Sequence, residues 1–179
     1  TLGYSLQIYF DFSGYTDMAV GLGLLFGFKI PINFNSPYKA ESFRDFWQRW
    51  HMTLSHWLRD YIYIPLGGNR RGELRHYVNI IATMLLCGIW HGTGWTFLIC
   101  GVLHGILIIF NHLVSKHFTF LIPKTRVLRI IFVFSVVSLL WIPFRADNIA
   151  QALKIYSGFF NFGGLSWKIE YIWIVIGLA

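Results

Sequence analysis

One histidine, His91, lies where an ionisable side chain is costly. It falls in the motif Cys87–Trp95, inside an apolar tract that covers residues 77–113, and it is followed by Gly92 and Gly94. Because polar groups at membrane depth are rare and expensive, His91 is the leading candidate for a functional group. A neutral imidazole can take a proton from a hydroxyl and return it within one cycle. This chemistry suits activation of an alcohol for attack on an activated acyl group.

His51 is the second candidate, and it lies in the segment formed by residues 41–61. On a helix, the large apolar side chains of this segment fall within one arc of about 120°, opposite basic and polar residues. The arc contains Phe43, Phe46, Trp47, Trp50, Leu54, Trp57, Leu58 and Tyr61. His51 falls at its edge, where a side chain faces both protein and water. The pattern predicts an amphipathic helix that lies at the membrane interface or forms the wall of a hydrated cavity.

Other chemistries find little support in the spacing of the residues. No two histidines have the i, i+4 spacing of a zinc motif, and no carboxylate or thiolate completes a set, so we expect no metal site. The chain has no phosphate-binding loop, no residue is assigned to cofactor binding, and Ser55 is a weak candidate nucleophile. Cys87 and Cys100 lie in apolar segments and favour neither a disulfide nor metal ligation.

The composition predicts that these residues are held in a lipid bilayer. Of 179 residues, 55% are hydrophobic and 13% are charged, against roughly 25% charged in a soluble protein. The mean hydropathy is +0.53. Apolar stretches that could cross a bilayer cover residues 2–32, 77–113 and 127–144, each approaching or exceeding the length of about 20 residues that a span requires. A fourth begins near Tyr171. We expect an all-α, polytopic transmembrane protein.

The predicted organisation is a single transmembrane region over residues 1–179. The chain starts without a Met and stops inside an apolar run, so we expect a fragment of a larger helical bundle, truncated at both ends. The predicted helices cover residues 2–28, 41–61, 77–90, 95–113, 127–144 and 148–160. Asp11 and Asp17 are expected to pair with Lys or Arg inside the bundle, and His104 is expected to pack against the bend after His91.

The net charge of +7 predicts a topology. Basic residues cluster in residues 59–75 and 116–129, and both linkers lie on one side if residues 77–113 cross the membrane and return. The positive-inside rule makes that side cytoplasmic. Arg70, Arg71 and Arg75 are most simply topology determinants, with binding of a phosphate-bearing donor as the alternative. Because the charge is spread among membrane-flanking loops, no nucleic-acid partner is expected.

A series of motifs resembles the membrane-bound O-acyltransferase (MBOAT) family. In chain order they are Phe10–Tyr15, Asn35–Tyr38, Asp45–His51, Arg59–Tyr61, Pro65–Arg70, Gly88–Gly92 followed by Trp95, His104–Gly105 and Pro143–Ala146. Their order and spacing resemble the bacterial branch that includes the alginate O-acetyltransferase membrane subunit. The resemblance spans nearly the whole chain. His91 matches the catalytic histidine of the family, and His51 lies in its second histidine-bearing motif.

The resemblance implies a multi-pass O-acyltransferase of the bacterial inner membrane. Its donor would be acetyl-CoA or another acyl thioester, with no bound cofactor, and its acceptor would be hydroxyls of an extracellular polysaccharide such as alginate. Extracytoplasmic acetyltransferases are the implied partner proteins that complete the transfer. His91 and His51 are the implied catalytic residues, with His51 assisting or lining an acyl tunnel.

Three alternatives remain open at this point. A proton-coupled transporter also requires buried His and Asp residues and broken helices at the bilayer midplane. A non-catalytic scaffold that recruits periplasmic partners would tolerate the loss of His91. Among enzymes, the alternative is a related transferase that moves D-alanyl or another acyl group onto cell-wall polymers.

Overall fold

The structure, a computed structural model, describes residues 1–160, and these residues form seven α-helices, which confirms the all-α prediction. The helices are α1 (Leu2–Leu25), α2 (Phe43–Arg49), α3 (Met52–Leu58), α4 (Glu73–His91), α5 (Trp95–His117), α6 (Arg126–Arg145) and α7 (Ile149–Gly158). The predicted apolar stretch that begins near Tyr171 lies outside the described residues.

Two helices, α5 and α6, are long and apolar enough to cross a membrane by length and composition. The helices α1 and α4 have 24 and 19 residues, and each carries two charged side chains. On α1 these are Asp11 and Asp17, which are both exposed. Their expected pairing with Lys or Arg is not formed, because no ion pair within residues 1–160 includes either side chain.

The helices α4 and α5 form an antiparallel hairpin whose two backbones approach closely. A Cβ atom on Gly101 of α5 would collide with the carbonyl oxygen of Met84 and approach the backbone of Gly88, both on α4. Small residues at such a crossing allow the helices to pack backbone against backbone. At the open end, Lys116 forms an ion pair with Glu73. The two basic linkers therefore lie at the same end of the hairpin, as predicted.

The predicted continuous helix over residues 41–61 is wrong, because the chain breaks between α2 and α3. The break lies at His51, whose backbone is left-handed with φ 41° and ψ 57°. The loop before α2 supplies hydrogen-bond partners for the backbone on both sides of this break. The Asn35 N–H donates to the Arg49 carbonyl at 3.0 Å, and the Met52 N–H donates to the Asn33 carbonyl at 2.9 Å. Tertiary hydrogen bonds thus replace helical ones, which the local pattern does not reveal.

The aromatic face of α2 packs against α6 in a protein core. The buried residues of this cluster are Ala40, Phe43, Phe46, Trp50, Val133, Val137 and Trp141. Ser42 caps α2 by accepting a hydrogen bond from the Asp45 N–H at 3.1 Å, and the Asp45 carboxylate accepts one from the Glu41 N–H. This reciprocal arrangement fixes the start of the helix. The core holds the segment before His51 in place, so it sets where the histidine can lie.

Candidate active site

His91 is the last residue of α4, at the bend that leads into α5. Its imidazole lies beside two aromatic rings, with centroid distances of 5.0 Å to Phe144 and 6.4 Å to Phe97. A Cβ atom on Gly92 would come within 2.7 Å of the Phe97 ring. The absent side chain at Gly92 therefore allows this ring to pack against the bend. The predicted position of His91 beside a glycine-permitted bend is confirmed.

His51 is held from the loop before α2. Its Nδ1 lies 3.1 Å from the side-chain oxygen of Asn33. The edge of Phe12 on α1 packs on the imidazole with a centroid distance of 4.8 Å. On another side lies Trp90, whose ring centroid is 6.0 Å from that of His51 and 4.9 Å from that of His91. One tryptophan thus contacts both histidines.

The structure brings His51 and His91 to the same two adjoining cavities. The first is narrow, with a volume of about 70 Å³, and the second is an open depression of about 470 Å³. Both are lined by Ile8, Phe12, His51, His91 and Phe144. The walls of the narrow cavity are largely apolar and aromatic, so the two imidazoles are its chief polar groups together with His104. A hydroxyl that enters the depression can therefore meet both His51 and His91.

A third histidine, His104, also lies at this site, whereas its sequence context predicts packing against the bend. It lies on α5 with 3% of its surface exposed, and it lines the narrow cavity with His51 and His91. Its ring stacks on Phe46 at a centroid distance of 6.2 Å. Its Nε2 has no hydrogen-bond partner in the described residues. The signal that could have found it is helical spacing, since Phe97, Gly101 and His104 recur at three- and four-residue intervals along the cavity face of α5.

Other candidates lie away from the two histidines. Arg70, Arg71 and Arg75 are exposed near the start of α4, and a helical rise of 1.5 Å per residue places Arg75 about 24 Å from His91. The hydroxyl of Ser55 donates to the Trp50 carbonyl at 3.2 Å and lines neither cavity. Asp11 lines the open depression.

The chemistry available at this site is that of imidazole. Within residues 1–160, no group of three or more His, Cys, Asp or Glu side chains is arranged to hold a metal ion. Cys87 and Cys100 are buried free thiols on the wall of the narrow cavity. The Cys100 thiol donates to the Leu140 carbonyl at 3.5 Å. The two imidazoles that line both cavities can accept and return a proton.

The sequence profile of the MBOAT, membrane-bound O-acyltransferase family matches residues 1–144. The chain belongs to the MBOAT family. The predicted family resemblance is thereby confirmed. In this MBOAT chain, His51 and His91 line the same two cavities.

Three relatives of this MBOAT chain are bacterial proteins named as transferases or acetylases. It is 52% identical over 170 residues to a peptidoglycan O-acetyltransferase of Helicobacter pylori, covering 93% of the chain and 32% of the relative. It is 50% identical over 163 residues to the probable alginate O-acetylase AlgI of Azotobacter vinelandii, covering 90% and 32%. It is 42% identical over 97 residues to a teichoic acid D-alanyltransferase of Bacillus subtilis, covering 50% and 25%. The chain spans about a third of the length of the first two relatives.

Proposed function

We propose that the full-length protein transfers an acetyl group from a thioester donor to hydroxyls of a polysaccharide outside the cell. The observation that carries this proposal is the meeting of His51 and His91 at one cavity in a chain of an O-acyltransferase family. The two residues come from different helical units, so their convergence is a product of the fold. Membership of this family favours a transferase over the transporter alternative.

His91 is proposed to act as the general base. Its neutral ring nitrogen takes the proton of an acceptor hydroxyl as the oxygen attacks the carbonyl carbon of the thioester. The new C–O bond forms, the C–S bond breaks, and the departing thiolate receives the proton from the imidazolium. General acid–base steps of this kind contribute about 10²–10⁴-fold to a rate. His51, which lines the same depression, is proposed to assist.

The donor and the cellular setting are part of the same proposal. The donor is acetyl-CoA or another acyl thioester, and the protein is a multi-pass protein of the bacterial inner membrane. The positive-inside rule places the basic linkers, at the open end of the α4–α5 hairpin, on the cytoplasmic side. His91, at the other end of α4, then lies toward the outer side. Extracytoplasmic acetyltransferases are the proposed partners that pass the acetyl group onward.

Two of the relatives have names that state a polysaccharide acceptor. That of Azotobacter vinelandii is named for alginate and that of Helicobacter pylori for peptidoglycan. Both are sugar polymers that offer hydroxyls, so this chemistry is the common proposal. The Bacillus subtilis relative is named for D-alanyl transfer to teichoic acid. D-alanyl transfer is therefore the second candidate function, although that relative matches only half of the chain.

The test is His91→Ala in the full-length protein, produced in its own host. We expect ester-linked acetate on extracellular polysaccharide or peptidoglycan to fall at least about 100-fold, as for loss of a general base. Acyl groups released by mild alkali are separated by chromatography, so that acetate and D-alanine are distinguished. Membrane abundance is measured in the same cells.

The matched control is His117→Ala, which removes an exposed histidine from the other end of α5. It should leave ester content unchanged. Normal ester content in His91→Ala at normal abundance would contradict the catalytic assignment and support the scaffold alternative. Loss of D-alanine in place of acetate would replace the acetyl proposal with the second candidate.

A further inference from the structure

The side-chain oxygen of Asn33 receives three donors from the segment that carries His51. The Thr53 hydroxyl donates to it at 2.6 Å and the Thr53 backbone N–H at 3.3 Å, and Nδ1 of His51 lies at 3.1 Å. All three distances fall within or close to the range of ordinary hydrogen bonds. The amide of Asn33 is therefore the common anchor of the chain at the break between α2 and α3.

This arrangement decides which ring nitrogen of His51 carries the proton. A backbone N–H can only donate, so the Asn33 atom facing Thr53 must be the carbonyl oxygen and not the amide nitrogen. That oxygen can only accept, so His51 must donate to it from Nδ1–H. In the neutral ring, Nε2 is then the nitrogen with the free lone pair. Within residues 1–160, no protein hydrogen bond involves Nε2.

The backbone supports the same anchor. The left-handed conformation of His51, with φ 41° and ψ 57°, is uncommon for a residue with a side chain. The Met52 N–H donates to the backbone carbonyl of Asn33 at 2.9 Å, so the main chain and the side chain of one residue together hold the histidine. Strained backbone of this kind persists only where surrounding contacts determine it.

We propose that Asn33 is a positioning residue that holds His51 as the Nδ1–H tautomer and so keeps Nε2 as the proton or hydrogen-bond acceptor for the substrate. Thr53 fixes the orientation of the Asn33 amide. The role of the tautomer in acyl transfer rests on the proposed function. The tautomer itself does not, because the hydrogen bonds alone define it.

The test replaces the amide by a carboxylate of the same shape, Asn33→Asp, in the full-length protein in membranes. The carboxylate still accepts from Nδ1–H but adds a negative charge that stabilises the imidazolium. Diethyl pyrocarbonate modifies histidine only in its neutral form, and the modification of His51 is followed against pH by tandem mass spectrometry of the tryptic peptide Trp50–Arg59. His56 lies in the same peptide and serves as an internal reference.

We expect the midpoint pH of His51 modification to rise by about 1–3 units in Asn33→Asp, with little change at His56. The matched control is Asn35→Asp, which adds the same charge at an exposed position two residues away and should leave the His51 midpoint in place. The other titratable groups around the depression are Asp11, Tyr4 and Tyr15 on α1 and His91 on α4. Around the narrow cavity, which His51 also lines, they are Cys87 on α4 and Cys100 and His104 on α5. They are identical in all variants, so they do not produce the difference. An unchanged midpoint in Asn33→Asp would overturn the proposal.

A second measurement covers the case in which Asn33→Asp fails to accumulate. The ¹⁵N spectrum of the histidine-labelled wild-type protein, assigned with His51→Asn, should show a protonated Nδ1 and a bare Nε2. A neutral ring protonated at Nε2 would contradict the inference.

An acyl-transfer assay distinguishes failure of this proposal from failure of the proposed function. Everted membrane vesicles are supplied with radiolabelled acetyl-CoA, and transfer of label is measured against pH. On the acid side of this profile, the pH at which transfer falls to half should be higher in Asn33→Asp than in wild type. It should be unchanged in Asn35→Asp. If wild type and His91→Ala transfer label equally, the proposed function fails, while the modification experiment still tests the contact between Asn33 and His51 and the ¹⁵N spectrum still decides the tautomer. If only His91→Ala is inactive and the pH of half-transfer is unchanged in Asn33→Asp, His51 does not act through its tautomer.

Discussion

The α4–α5 hairpin and the α2–α3 break each position one histidine, and they do so by different physical means. The hairpin holds His91 through backbone-to-backbone packing at Gly88 and Gly101, where a single added carbon atom would collide. The break holds His51 through hydrogen bonds from the Asn33 loop to a strained backbone. Packing is continuous along the hairpin, whereas the break depends on a few directed polar contacts.

This difference predicts how each histidine responds to change. A hairpin that depends on close packing fails as a unit when its crossing is widened, because the helices cannot relax separately. A residue held by hydrogen bonds can lose its orientation while the helices around it stay folded. Damage to the hairpin should therefore appear as lost protein, and damage to the break as lost activity.

The largest effect is expected from Gly101→Val in the hairpin. The new side chain would collide with the Met84 carbonyl, which belongs to the backbone and cannot move aside. Overpacking of a close-packed core costs about 1–3 kcal/mol or more. We expect the full-length protein to lose most of its membrane abundance and its resistance to limited proteolysis.

The matched variant is Gly14→Val on α1, where an added Cβ atom meets nothing within 4 Å in the described residues. It should retain abundance much closer to that of wild type. If Gly101→Val accumulated normally, the close crossing of α4 and α5 would not be needed to hold His91.

The second-largest effect is expected at the break, where two variants of His51 distinguish loss of folding from loss of chemistry. His51→Asn removes the imidazole but keeps a residue that tolerates the left-handed backbone. We expect normal abundance and at least about a 100-fold loss of acetyl transfer, in the range for a group that assists proton transfer. His51→Val should lose activity and also abundance, because a β-branched residue is a genuine outlier in this conformation. Equal abundance of the two variants would show that the backbone at residue 51 is not under strain.

Sequence patterns predict the hairpin well. The apolar tract of residues 77–113, interrupted by Gly92 and Gly94, indicates two helices with a bend at His91, and the structure forms them. The charge pattern also predicts that both basic linkers lie at one end. These features follow from local composition, because a long apolar helix and a glycine at a bend each carry their own signal.

Local sequence patterns do not predict the break between α2 and α3. The periodicity of residues 41–61 favours one helix, since the apolar residues keep a helical period on both sides of His51. The break depends on Asn33, which comes 18 residues earlier and bonds to His51 only in the folded chain. The position of His104 at the cavity is hidden from sequence patterns for a related reason, because its partners Phe46 and Trp47 lie on α2. Contacts between distant segments leave no periodic pattern.

The smallest effects are expected from two ion pairs, the first of which links Glu41, just before α2, to Arg129 of α6. The Arg129 guanidinium donates to the Glu41 carboxylate at 2.7 Å and holds the pKa of that carboxyl below its usual range. A carboxyl whose pKa is lowered by folding contributes stability above its unfolded pKa and loses that contribution as pH falls through its folded pKa. Glu41→Gln should therefore lower Tm at pH 7, by an amount on the order of 2 °C or less for a partly exposed ion pair.

The difference in Tm between Glu41→Gln and wild type should shrink as the pH falls below 4.5, the ordinary pKa of a glutamate carboxyl. The wild-type side chain then becomes neutral as well. High salt should reduce the difference in the same way. Glu73→Gln in the hairpin is the comparison, since its pair with Lys116 is more exposed, at 53% and 45% against 34% and 27% for Glu41 and Arg129. It should have the weaker effect, because close packing and not this ion pair holds α4 to α5. A larger effect for Glu73→Gln would show that the hairpin also depends on polar contacts, and the two regions would then differ only in degree.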